Sequence, residues 1–97
     1  MQKIELFYLE HCPYCVNARK ALEELVKEKS AYAGVRIRWI EESVETELAN
    51  SRDYYYVPTV YFEGQKLYEA RPSQNYAAIK ESLRGVLETV LAAEEQA

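Results

Sequence analysis

Cysteine is scarce in this chain. The 97 residues hold two, Cys12 and Cys15, too few for the set of disulfides that braces many small secreted domains. Glycine and proline are scarce as well, at three each, and hydrophobic residues make up 48%, which excludes a disordered or low-complexity chain. There is no excess of positive charge. Twelve Lys and Arg stand against 16 Asp and Glu, for a net charge of -4, and the basic residues are spread along the chain, which argues against nucleic acid as a partner. No run approaches the roughly 18 consecutive apolar residues of a membrane span, so no membrane partner is expected. The start, Met1-Gln2-Lys3-Ile4, lacks the apolar stretch and small-residue cleavage site of a signal peptide. The expected location is the cytoplasm, where a static disulfide is disfavoured and a cysteine pair is more often catalytic or metal-binding.

What is present suits one small domain spanning residues 1–97, with about 92–97 as a frayed tail. Ile4 to Leu9 is an almost wholly apolar run, with Glu5 its only polar member, and reads as a central strand buried on both faces. A helix should follow, with Cys12 as N-cap, Pro13 as first helical residue, and Cys15, Ala18, Leu22, Leu25 and Val26 on its apolar face. Val35, Ile37 and Trp39 alternate with Arg36 and Arg38, the pattern of an edge strand with one polar face. Glu42 to Ser51 is weakly helical, with Ser43 as N-cap and Val44 and Leu48 as its apolar pair. Thr59 to Phe62 and Lys66 to Tyr68 flank Glu63-Gly64-Gln65 and predict a hairpin turning on Gly64. A long helix is expected from Ser73, its N-cap, with Tyr76, Ile79, Leu83, Val86, Leu87, Val90 and Leu91 as one stripe. The order β-α-β-α-β-β-α predicts an α/β fold with a four-stranded mixed sheet and helices on both faces.

The chemistry concentrates in Cys12-Pro13-Tyr14-Cys15, at the junction of a buried strand and a helix. A helix start presents unpaired N–H groups and the positive end of the macrodipole, which favour the thiolate of Cys12 as a nucleophile. Cys15 lies almost one turn further in, within reach of a mixed disulfide on Cys12 and more shielded from outside, as a resolving thiol must be. Three other readings compete. Zinc needs four protein ligands, or three with an open position, and His11 plus a carboxylate bring no second cysteine pair, so no metal site is expected. An inert structural disulfide closing so short a loop gains little in the cytosol, and a chance pair is the last alternative.

The stretch His11-Cys12-Pro13-Tyr14-Cys15-Val16-Asn17-Ala18-Arg19-Lys20-Ala21-Leu22 resembles the active-site segment of the glutaredoxins, and Val57-Pro58-Thr59-Val60-Tyr61-Phe62 resembles the Val-Pro that opens their hairpin. The resemblance runs from Lys3 to about Val90 and implies a thioredoxin-like fold of the glutaredoxin type. It implies a dithiol-disulfide oxidoreductase with Cys12 and Cys15 as catalytic residues. Pro58 is then cis and faces them, and the Val57 backbone pairs with the substrate's peptide. By position alone, Pro58 reads equally as a trans proline opening an edge strand. The glycine pair and acidic residue with which glutaredoxins hold glutathione have no counterpart in Glu69-Ala70-Arg71-Pro72-Ser73-Gln74-Asn75. The Arg71-Pro72 step is similar instead to the glutaredoxin-like electron donors of ribonucleotide reductase, which take electrons from thioredoxin reductase. No bound cofactor is expected, glutathione and thioredoxin reductase are the two candidate electron sources, and the partners are disulfide-containing proteins or small molecules.

Further candidates surround this centre. His11, if protonated, favours the Cys12 thiolate, although Glu10 partly opposes it. Tyr14 is expected to line the substrate groove as the resemblance implies, with a solvent-facing ring as the alternative. Tyr54-Tyr55-Tyr56 either forms an aromatic wall beside the sulfurs or packs at a strand entry. Arg71 could receive a substrate carboxylate or lie solvated. A binding or sensing module that uses the cysteine pair as a passive redox switch is the alternative of another class. Without a large apolar patch in the pattern, a monomer is the default.

Overall fold

The computed structural model describes residues 3–95. Among the described residues, three α-helices and a 3-10 turn surround a four-stranded sheet in the order β2-β1-β3-β4, built from β1 (Ile4–Tyr8), β2 (Arg38–Glu41), β3 (Thr59–Phe62) and β4 (Gln65–Glu69). Helix α1 (Pro13–Glu28) joins β1 to a 3-10 turn at Ser30–Gly34, α2 (Thr46–Asn50) follows β2, and α3 (Tyr76–Glu95) closes the chain. β1 pairs with β2 in parallel and with β3 antiparallel, and β3 with β4 antiparallel. This is the expected α/β arrangement.

The strand face that carries Ile4 and Leu6 packs with Val60 and Tyr68 against α1 and α3, through Ala18, Leu25, Ile79, Leu83 and Val90. The opposite face carries a smaller core of Phe7, Ile40, Tyr61 and Ala49, with α2 contributing Ala49. β1 is therefore apolar throughout because it is covered on both sides. Its exception, Glu5, is 1% exposed, and its Oε1 accepts hydrogen bonds from Arg52 Nη2 at 2.7 Å and Nε at 3.2 Å. Its Oε2 has no hydrogen bond among the described residues, with the Lys3 ammonium 3.6 Å away.

Four expectations need correction. The ladder of β2 begins at Arg38 rather than Val35, because its partner β1 offers Glu5 as the first paired position. Val35, Ile37 and Trp39 still lean on the larger core, so their side was read correctly. The helix expected over 42–51 shrinks to Thr46–Asn50. The Ser43 amide and hydroxyl both donate to Glu41 Oε1, at 2.7 Å each, so Ser43 closes a turn and caps nothing, and Val44 is 76% exposed. Ser73 is not the N-cap of α3, for it sits at φ 72°; Asn75 is, its Oδ1 accepting the Ala78 N–H at 2.8 Å. Finally, α3 stays helical through Glu95 where a frayed tail was expected from residue 92, and residues 96–97 of that tail lie outside the described residues. The hairpin matches its expectation. Glu63 and Gly64 both take positive φ, 50° and 83°, as a tight two-residue turn requires, and glycine carries the larger value without a Cβ clash.

One consequence of this topology places the site. β1 and β3 are antiparallel neighbours, with Phe7 opposite Thr59, so the exit of β1 lies beside the entry of β3. The cysteines follow the first and Val57-Pro58 precedes the second.

Candidate functional site

Cys12 is the residue before α1, with extended backbone (φ -77°, ψ 123°), and Pro13 follows at the first helical position, where its missing N–H costs nothing. The Cys12 side chain does not cap the helix, so its sulfur is directed elsewhere. It donates to the Val57 carbonyl oxygen at 3.7 Å, a contact between residues 45 apart in the chain. The Val57-Pro58 peptide bond is cis, as the resemblance implied, and Pro58 is fully buried. Both thiols are free; Cys12 is half-buried and Cys15 is 4% exposed.

Burial is the main reason the Cys15 thiol is pushed up to about 12 from its ordinary 9.0. A backbone hydrogen bond at Leu9 works against the rise, while a hydrogen bond with Cys12 and the charges of Cys12 and Glu42 add to it. The two sulfurs therefore differ in kind. One lies at a helix start within reach of solvent, and the other is a neutral, desolvated thiol in contact with the first.

The remaining candidates separate. Tyr14 is half-buried on the larger core, and its hydroxyl accepts the Ser73 N–H at 2.8 Å, so it ties the cysteine segment to the loop before α3 rather than standing free. His11 is exposed and close to Glu41, whose carboxyl is held below its ordinary range chiefly by the Ser43 hydroxyl and amide, with a smaller contribution from His11. The three consecutive tyrosines do not form one wall. Tyr54 stacks on Phe7 with ring centroids 5.3 Å apart and donates its hydroxyl to Glu42 Oε2 at 2.6 Å, whereas Tyr55 is 89% exposed. Arg71 is exposed and makes no ion pair among the described residues. A groove of about 430 Å³ nevertheless brings it together with Tyr55, Tyr56 and Tyr68, its lining stopping one residue short of Val57 and including neither cysteine. Another groove, about 550 Å³, lies between α1 and the edge at Ile37 and Trp39, and includes neither cysteine.

Residues without a motif complete the surroundings. Tyr68 is buried near Cys15, with a hydroxyl pushed up to about 12 by burial and, secondarily, by the Cys15 charge, and it donates to Gln74 Oε1 at 2.8 Å. Glu42 adds its charge at Cys15, and Glu69 accepts the N–H groups of Tyr55 and Tyr56. Glutamates at strand ends carry no sequence signal that separates them from the solvated glutamates elsewhere in the chain. Among the described residues no group of three or more His, Cys, Asp or Glu could hold a metal ion, and no helix is long and apolar enough to cross a membrane.

No family model matches the chain and no curated protein sequence matches it. Its fold is similar to that of oxidised mitochondrial thioredoxin 3 from Saccharomyces cerevisiae, with a TM-score of 0.58 and 20% identity over 87% of this chain and 77% of that one. It is similar also to thioredoxin 1 from Thermosipho africanus, with a TM-score of 0.57 and 17% identity over 91% and 97% of the two chains. Oxidised glutaredoxin 2 from Chlamydomonas reinhardtii gives a TM-score of 0.52 and 22% identity over 95% of this chain and 81% of that. At these identities the likeness is one of fold, and the chain has the thioredoxin-like fold.

Proposed function

We propose that this protein is a dithiol-disulfide oxidoreductase of the glutaredoxin-like type. The observation that carries the reading is the pairing of a half-buried helix-start thiol, Cys12, aimed at the carbonyl beside cis-Pro58, with a buried second thiol, Cys15, in contact with it. In the cycle, the Cys12 thiolate attacks one sulfur of a target disulfide, a Cys12–target bond forms, and the other target sulfur leaves as a thiolate that takes up a proton. Cys15 then attacks the Cys12 sulfur as its proton passes, directly or through solvent, to the departing target sulfur; the Cys12–target bond breaks, and the reduced target leaves as a thiol while Cys12–Cys15 carries the oxidation. Burial keeps Cys15 neutral until Cys12 has been modified, which limits its competing attack on outside disulfides. The target's backbone lies along Val57, and Arg71 in the adjoining groove suits a carboxylate on it.

Targets of this reading are protein or low-molecular-weight disulfides met by a monomer in the cytoplasm, with no bound cofactor or metal. Two electrons must return to Cys12–Cys15 in each cycle, from glutathione or from thioredoxin reductase. The lack of the glycine pair and acidic residue weakens the case for tight glutathione binding and favours the reductase. The test is substitution. Cys12→Ser should abolish disulfide reduction, and Cys15→Ser should accumulate a mixed disulfide on Cys12. Retained activity in the first, or no trapped adduct in the second, overturns the mechanism and leaves the passive redox module. Thiol counting after the oxidised protein meets glutathione alone, or thioredoxin reductase with its nicotinamide substrate, identifies the reductant.

A further inference from the structure

Residues 53–58 carry the Val57 carbonyl to Cys12 without belonging to any helix or strand. Their backbone is instead gripped by side chains of the hairpin. The Tyr61 hydroxyl accepts the Asp53 N–H at 3.1 Å and donates to the Asp53 carbonyl at 2.8 Å, and the Thr59 hydroxyl donates to the Tyr56 carbonyl. Between these two anchors stands Glu69, the last residue of β4, paired across the ladder with Thr59. Its Oε2 accepts the Tyr55 N–H at 2.6 Å and the Tyr56 N–H at 2.9 Å, while its Oε1 accepts from Lys66 Nζ at 2.7 Å, an ammonium that also donates to the Asp53 carbonyl at 3.1 Å.

We propose that Glu69 is a positioning residue of the redox site, one that holds the Tyr55-Tyr56 backbone so that the next residue, Val57, meets both the Cys12 thiol and an incoming substrate peptide. The inference rests on the oxidoreductase reading and adds to it a residue that touches neither sulfur. At 89% exposure the Tyr55 side chain has little packing to hold its own backbone, so the carboxylate is the chief restraint at that point. Two amides on one carboxylate oxygen are charge-assisted bonds, stronger than neutral ones. Burial pushes the Glu69 carboxyl up, but Lys66 and the two amides outweigh it and leave the group below its ordinary range, hence charged at neutral pH. Tyr54 and Val57 also pack on the smaller core, so losing Glu69 loosens the segment without detaching it.

The experiment compares Glu69→Ala, Glu69→Gln and Lys66→Met in the full chain by amide hydrogen exchange and by steady-state reduction of a disulfide-bonded peptide, with the oxidised protein re-reduced by whichever of glutathione or thioredoxin reductase the thiol counting identifies. In the wild type the Tyr55 and Tyr56 amides should be protected. Glu69→Ala should lose that protection and raise KM about tenfold with kcat within about twofold, because docking on Val57 is impaired and the sulfur chemistry is not. Glu69→Gln keeps an acceptor oxygen and should restore most of both, and Lys66→Met should resemble the wild type. Unprotected amides in the wild type, a KM unchanged in Glu69→Ala, or a Lys66→Met variant that reproduces Glu69→Ala would each overturn the proposal, the last by making Lys66, through its ion pair or its own bond to the Asp53 carbonyl, the part that matters. Protected amides in a wild type that reduces no disulfide would overturn the oxidoreductase reading and leave Glu69 a loop anchor alone.

Discussion

The Cys12 thiol and the Val57 carbonyl, 45 residues apart in the chain, lie 3.7 Å from each other, and the two halves of the candidate site meet at that contact. On one side is a thiol at a helix start, and on the other a backbone acceptor at the head of a strand.

The difference between the two thiols predicts single-site labelling. Iodoacetamide at pH 7–8 should modify one cysteine per reduced chain, Cys12, and leave Cys15 unmodified until the protein is unfolded. Mass spectrometry of the digested product checks it, and equal labelling of both in the native protein would count against the burial argument. Stability should follow the same group at high pH. Cys15 is raised in the folded state, so its contribution is intact below the ordinary value of 9.0 and is lost as pH climbs from there toward about 12. The melting temperature of the reduced protein should therefore fall more steeply across that window than that of Cys15→Ala. The comparison matters because Tyr68, raised to about 12 chiefly by burial, destabilises both proteins in the same direction at high pH, with the smaller part owed to the Cys15 charge lost in Cys15→Ala.

Glu5 predicts a large stability effect far from the cysteines. Arg52 is its principal partner, lying also over the Phe7 and Tyr61 rings at 5.9 and 5.7 Å, so Arg52→Ala leaves a buried carboxylate without its main counter-charge. The expected loss is about 3 kcal/mol in urea unfolding. Glu5→Gln in the Arg52→Ala background should recover part of it, and a loss below about 1 kcal/mol for the single variant would show that water or Lys3 satisfies the carboxylate.

Tyr14 separates two roles that the sequence leaves together. Its ring packs on the core and its hydroxyl meets the Ser73 N–H, so Tyr14→Phe should keep turnover and lose about 1 kcal/mol of stability. A fall in kcat/KM with unchanged stability would instead make the hydroxyl a substrate contact. Enzyme assay and thermal unfolding of the same preparation decide between them.

The parts of the site that were legible in the sequence are those that local rules dictate. Pro13 after Cys12 marks a helix start whatever the fold around it, and the apolar run Ile4 to Leu9 demands cover on both faces. The parts that were not legible depend on partners distant in sequence. Ser73 has the composition of an N-cap, but the chain turns through a positive φ there, its amide meets Tyr14, and the capping role passes to Asn75. Ser43 fails as a cap because Glu41, two residues earlier, competes for its amide and hydroxyl. Glu69 carries no motif, since a carboxylate that binds two amides is written in the same letter as one that binds water.

By itself the sequence determined the order of elements, the helix start that bears Cys12 and Cys15, and the Val57-Pro58 step, because periodicity and the backbone limits of proline act over a few residues. The tertiary structure alone decided that Cys12 meets Val57, that Tyr14 is a strut and that Glu69 grips the loop. Those relations depend on which strands are neighbours and in which direction they run, and a local pattern carries nothing about contacts across 13 to 59 residues.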